Sequence, residues 1–180
     1  MTFQQSIVTC FRKYFTFSGR ATRPEYWWFF LFIFLSNLVL GIFDAILFGS
    51  ETLPVEVTES DELSPHDDES GPLVSLFSLA TFLPMLAVGW RRMHDTGRSG
   101  LYLFYPLIAM IGLGLFVWAF GGEALASGDP ASLFQGLFGV VVALALVVIA
   151  ISPFIVLWWL TRPSQPGQNQ YGPNPHEVQT

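Results

Sequence analysis

Four apolar stretches dominate this sequence: Tyr26 to Phe48, Leu73 to Trp90, Leu101 to Phe120 and Leu137 to Leu160. Each is close to the ~20 residues that an α-helix rising ~1.5 Å per residue needs to cross a ~30 Å hydrocarbon core. Hydrocarbon offers no partner to a backbone N–H or C=O, so a segment of this length must satisfy them within itself, which a helix does. Only 12% of the residues are charged, about half the roughly 25% usual in soluble domains. The expected fold is therefore all-α, an integral membrane bundle of four transmembrane helices in a single membrane domain covering residues 1–180. The expected spans are about 26–48, 73–90, 101–120 and 137–160. The first stretch is too long for a signal-peptide h-region, and no small-x-small cleavage site comes after it.

Orientation is given by how the charges are sorted. All eight basic residues fall in three places: Arg12, Lys13, Arg20 and Arg23 before the first span; Arg91, Arg92 and Arg98 between the second and third; Arg162 after the fourth. The loops after the first and third spans carry no Lys or Arg. The positive-inside rule then puts both termini in the cytoplasm. Trp27, Trp28, Trp90, Trp158 and Trp159 map to the same inner boundary, as interfacial aromatic belts do. The single Cys10 excludes an intrachain disulfide.

Outside the spans, Phe3, Ile7, Val8, Phe11, Tyr14 and Phe15 recur at helical spacing within the cytoplasmic segment 1–25. This predicts an N-terminal amphipathic helix, lying on the inner leaflet or packed on the bundle. Thr22-Arg23-Pro24-Glu25 reads as a helix start. The stretch 51–70 holds eight carboxylates and no basic residue, and is expected to be an extended, mobile external loop. The segment 161–180 is rich in Pro, Gly, Gln and Asn and is expected to be a cytoplasmic tail. Pro84, Pro106 and Pro153 are each expected to kink a span.

Two groups of polar residues stand out. The first joins Arg20, Arg23 and Glu25 to the run Arg91-Arg92-Met93-His94-Asp95-Thr96-Gly97-Arg98-Ser99-Gly100 in one expected cytoplasmic polar cap. Glu25 is expected to pair with an arginine of the second cluster. Three arginines suit a phosphate, and His94 beside Asp95 has the elements of a base and its orienting carboxylate. The structural reading is the favoured one: Asp95 pairs with an arginine, Gly97 stops the helix and Ser99 caps the next one. The second group is Asn37 and Asp44, seven residues apart on one helix face. Asp44 lies ~27 Å along the helix from Tyr26, near the outer interface. No metal-ligand spacing, glycine-rich phosphate loop or basic nucleic-acid footprint is present, so no metal, cofactor or nucleic acid is expected.

Three blocks resemble the domain of unknown function 805 family of small bacterial inner-membrane proteins. They are Tyr14 to Trp28, Arg91 to Gly100, and Gly167 to Pro175, the last containing Asn169, Tyr171 and Gly172. The resemblance implies a multi-span helical fold in the bacterial cytoplasmic membrane, and implies no activity. It adds Asn169, Tyr171 and Gly172 to the cap, while the acidic stretch 51–70 departs from the family pattern. The leading functional reading is a non-enzymatic interaction or membrane-organising protein. Its partners are the lipid bilayer and, at the cap, another protein or an anionic lipid. A small transporter or channel, working as a homo-oligomer through Asn37 and Asp44, is the alternative. An enzyme acting on lipid phosphates through Arg91, Arg92, His94 and Asp95 comes third.

Overall fold

The computed structural model describes residues 1–49, 71–122 and 126–177; the acidic stretch 51–70 lies outside them. Five α-helices appear among the described residues: α1 (Phe3–Arg12), α2 (Arg23–Asp44), α3 (Pro72–Asp95), α4 (Tyr105–Phe120) and α5 (Gly136–Thr161). A π-helical turn, Ala45–Gly49, prolongs α2, and 3₁₀ turns Gly100–Phe104 and Pro130–Phe134 precede α4 and α5. The described residues contain no strand, only an isolated bridge between Asn169 and Gly172. Four helical stretches, Arg23–Gly49, Pro72–Asp95, Gly100–Phe120 and Gly136–Thr161, are long and apolar enough to cross a membrane. Leu79, Trp118, Leu144 and Phe154 on these stretches are largely exposed, the surface that suits contact with acyl chains.

The chain divides into two compact units, Met1–Thr16 with Pro24–Val88, and Phe17–Arg23 with Gly89–Thr180. In the first, α1 begins with a reciprocal cap. The Gln5 N–H donates to Thr2 Oγ1 at 3.3 Å and the Thr2 N–H to Gln5 Oε1 at 2.9 Å, satisfying two N–H groups that a helix start leaves open. On α1, Phe3 meets Trp28 edge-on, and Phe11 meets Phe29 and Phe32 edge-on. Ser6 is buried, and its Oγ donates to the Glu25 carbonyl at 2.6 Å. Phe32 against Phe77 joins α2 to α3. In the second unit, α4 packs along α5, with Phe116 stacked on Phe138 at 5.3 Å.

The three prolines behave differently from one another. Pro106 sits in the first turn of α4, after the 3₁₀ turn, where its missing N–H would have had no intrahelical acceptor. It lies in the first turn of α4 and not in its interior. Pro84 and Pro153 lie inside α3 and α5, and each removes the N–H that would bond the carbonyl four residues earlier, at Ala80 and Ile149. A hydroxyl replaces it in both places: Tyr14 Oη donates to the Ala80 carbonyl at 2.6 Å, and Ser152 Oγ to the Ile149 carbonyl at 2.8 Å. Both carbonyls belong to stretches apolar enough to sit in hydrocarbon, where an unmet acceptor is costly.

Tyr14→Phe should therefore lower unfolding stability in detergent or lipid discs by about 1 kcal/mol. With Pro84→Ala in place the backbone N–H returns and Tyr14→Phe should cost much less. Additive effects of the two substitutions in a double-mutant cycle would sink this account.

Candidate functional site

The second unit carries most of the cap residues, and the end of α3 sets their geometry. Helix α3 runs on to Asp95, so Arg91, Arg92, His94 and Asp95 are helical, past the expected end of the span at residue 90. It stops in a Schellman motif. The Arg98 N–H bonds the Met93 carbonyl and the Gly97 N–H the His94 carbonyl, each at 3.0 Å, with Gly97 at φ +77°. That left-handed conformation is the reason for a glycine. Ser99 then caps the 3₁₀ turn, its Oγ accepting from the Leu101 N–H at 3.4 Å. A side chain at Gly100 would collide with the Trp90 indole.

Asp95 is the centre of a buried polar node. Its Oδ1 accepts from Arg20 Nε at 2.9 Å, and its Oδ2 accepts from Arg92 Nη1 and from Ser164 Oγ, the latter at 2.5 Å. Arg92 and Asp95 are fully buried, and Arg20 nearly so. Each guanidinium also collects backbone carbonyls. Arg92 donates from Nε to the Leu160 carbonyl at 3.0 Å and from Nη2 to the Arg162 carbonyl. It thus places a cation on the open carbonyls at the C-terminal end of α5. Arg20 donates to the carbonyls of Gln165 at 2.5 Å, Gly167 at 2.8 Å and Gly172 at 3.4 Å. The Asp95 carbonyl accepts from the Gln165 N–H at 2.9 Å. Two cations beside one carboxylate leave an excess positive charge, which these carbonyl dipoles offset.

His94 faces away from this carboxylate. Its Nδ1 donates to the Gly19 carbonyl at 3.1 Å, since a carbonyl can only accept, and its ring stacks flat on Tyr171 with centroids 3.7 Å apart. The neighbouring Asp95 therefore does not orient His94 as a base. Asn169 Nδ2 donates to the His94 carbonyl at 2.9 Å and to Gln165 Oε1 at 3.1 Å. Asn169 and Gly172 close a tight turn on themselves. The tail through residue 177 is thus fastened by named bonds, although its composition predicts little more than loop.

The other expected cap residues have varied settings. Arg91 is buried, and its carbonyl accepts from the Ala21 N–H at 3.0 Å. Glu25 is buried at the start of α2, in the first unit. Arg23 is exposed. Arg98 donates from Nη1 to the Thr96 carbonyl at 3.2 Å and lies over the Trp159 ring at 5.2 Å. Arg162, Ser164, Gln165 and Gly167 are not among the expected site residues. They contribute mainly through backbone groups, which leave no residue-type signal. Ser164, three residues past the end of α5, is the one legible hint.

In the first unit, Asp44 is buried and caps α3. Its Oδ1 accepts from the Leu73 N–H at 3.1 Å and its Oδ2 from the Val74 N–H at 2.9 Å, supplying a negative charge at a helix N-terminus. Asn37 Oδ1 accepts from Ser78 Oγ at 3.3 Å. Both residues line a cavity of about 960 Å³ together with Gly41, Gly71, Val74 and Ser75. Among the described residues no group of three or more His, Cys, Asp or Glu gathers as a metal site.

Residues 14–173 match the family described as Protein of unknown function (DUF805). The chain belongs to the DUF805 family. It is 37% identical over 131 residues to the inner membrane protein YhaI of Escherichia coli K12, covering 70% of this chain and 95% of the relative. To the inner membrane protein YhaH of the same organism it is 34% identical over 118 residues, covering 66% of this chain and 84% of the relative. No solved structure matches. The matched DUF805 region contains Arg20, Arg92, Asp95, Ser164 and Gln165, so the whole polar node lies within it.

In this DUF805 protein, Asp95→Ala leaves two buried guanidiniums without their carboxylate and should cost about 3–5 kcal/mol of unfolding stability. Ser164→Ala, which removes one hydrogen bond, should cost about 1 kcal/mol. Equal stability of Asp95→Ala and the parent chain would mean the node is not structural. At the other site Asp44→Ala should cost about 1 kcal/mol through the lost cap, and Asp44→Asn less.

Proposed function

We propose that the protein is a non-enzymatic membrane-organising protein of the inner membrane, with both termini in the cytoplasm, whose fastened tail is a docking surface for a protein partner. The observation that carries this reading is the engagement of Arg20 and Arg92. Their guanidiniums hold Asp95 and the carbonyls of residues 160–172, so neither is open to a lipid phosphate substrate. Among the described residues no carboxylate hydrogen-bonds His94 to orient it as a base. The node fixes the tail's inner side, while Gln168, Gln170 and His176 are exposed. A polar surface held rigid loses little entropy when a partner docks. The sorting of basic residues supports the cytoplasmic orientation.

A small transporter is the second reading, favoured by the cavity beside Asn37 and Asp44. Against it, both Asp44 carboxylate oxygens already accept from the start of α3.

One experiment compares the readings. The full chain is extracted in native lipid discs, with and without Gln168→Ala, Gln170→Ala and His176→Ala together, and stoichiometric protein components are identified. The same chain in liposomes is assayed for proton and cation flux. A component present with the parent chain and lost in the triple variant, with no flux, is the expected result. Flux abolished by Asp44→Asn in a normally folded protein, with no protein component, would replace the docking reading with transport.

A further inference from the structure

Four arginines of the second unit divide by what their guanidiniums touch. Those of Arg20 and Arg92 are engaged within the node. Arg98 and Arg162 lie against ring faces, Arg98 over Trp159 at 5.2 Å and Arg162 over Trp158 at 4.7 Å. Trp158 and Trp159 are consecutive residues in the last turn of α5. Arg162 is exposed, and its side chain donates no hydrogen bond among the described residues; Arg98 donates one, to the Thr96 carbonyl. Neither forms an ion pair among the described residues, and the carboxylate of Asp95 is occupied by Arg20, Arg92 and Ser164.

We infer that this end of α5 is a seat for the headgroups of anionic phospholipid, with Arg98 over Trp159 and Arg162 over Trp158 supplying its positive charge. A guanidinium over an aromatic ring is attracted by the ring and still carries N–H donors in the planar fork that matches phosphate oxygens. Tryptophan at the end of an apolar helix sits at headgroup depth, which is where the phosphates of a bilayer lie. Trp158 is 53% exposed, so its apolar ring is open to the glycerol and upper acyl region beside a bound headgroup. Two cations favour a headgroup with net negative charge over a zwitterionic one, whose own ammonium they repel.

The seat is built in advance. Trp159 meets Tyr102 in a T-shaped contact at 5.2 Å and Tyr105 in a tilted one at 6.2 Å. The Arg162 carbonyl is held by Arg92, and the Arg98 N–H by the Schellman bond to Met93. The backbone at both arginines is therefore fixed before a lipid arrives, which lowers the ordering cost of binding. The inference does not rest on the protein-docking proposal, and it stands whichever leaflet this end of α5 faces.

The test is lipid retention by the purified full chain, read by native mass spectrometry during titration with phosphatidylglycerol or phosphatidylcholine. The parent chain should prefer phosphatidylglycerol by about fivefold or more, from a contribution of that order per basic residue near a membrane surface. Arg98→Gln with Arg162→Gln should abolish the preference. Arg98→Lys with Arg162→Lys keeps the charge but loses the planar fork, and should lose at least half of it. If the double Gln variant melts early, Arg162→Gln alone serves, because that side chain has no described hydrogen bond to lose, and it should reduce the preference about twofold or more. No preference in the parent chain, or a preference undiminished in the Gln variants, overturns the inference. So does full displacement of the lipid by excess soluble glycerol 3-phosphate, which would make the seat one for a free phosphate ester.

Discussion

The Asp95 carboxylate accepts from two buried arginines and a serine that come from three separate parts of the chain. Such a group is expensive to remove from water, and it is tolerated only when every charge and donor around it is answered. Here the answers come from main-chain oxygens as much as from the acid. Arg92 closes the end of α5 while Arg20 gathers the tail, so one side chain on α3 organises both the termination of a second helix and the path of the tail beyond it. The position of Arg162, whose carbonyl Arg92 holds, depends on this arrangement, while that of Arg98 is set by the helix stop at Gly97.

A different constraint governs the apolar lengths of the helices. Pro84 and Pro153 each open a carbonyl in a stretch suited to hydrocarbon, and the two are answered over different distances. Ser152 acts within its own helix and Tyr14 reaches 66 residues along the chain. The second arrangement gives the segment after α1 a task beyond surface contact, since its hydroxyl completes the ladder of α3. Asp44 does a related thing for the start of α3, capping it from the end of α2.

How much of this is legible in the residues depends on the range of the interaction. The four apolar helices, the stop at Gly97 and the cap at Ser99 are encoded by length and by local residue chemistry, and all three are present. The Arg92–Asp95 pair is also local, three residues apart on one helix. Beyond that, the partners of Arg20 lie as far as 152 residues away and are mostly carbonyls. Every residue carries a carbonyl, so nothing in the residue types at Gln165 or Gly167 advertises an acceptor. The capping box at Thr2 and Gln5 does have a readable spacing, but the aromatic period of α1 is the louder signal and masks it. Pro106 reads as lying inside a span and instead falls in the first turn of α4, because the 3₁₀ turn that displaces the start of α4 leaves no compositional trace.

The node also bears on how the protein is made. Arg92 and the carbonyl of Arg162 that it holds are 70 residues apart, so at about 5–20 residues per second the ribosome needs about 4–14 s to supply the second after the first. During that interval Asp95 and its arginines exist without α5 or the tail, strongly solvated and unable to settle into a dry interior. Closure must wait until α5 and the residues through Gln165 have been synthesised. The node is therefore among the contacts that form late, and a chain truncated before Ser164 would leave Asp95 and its arginines without the tail that completes their hydrogen bonds.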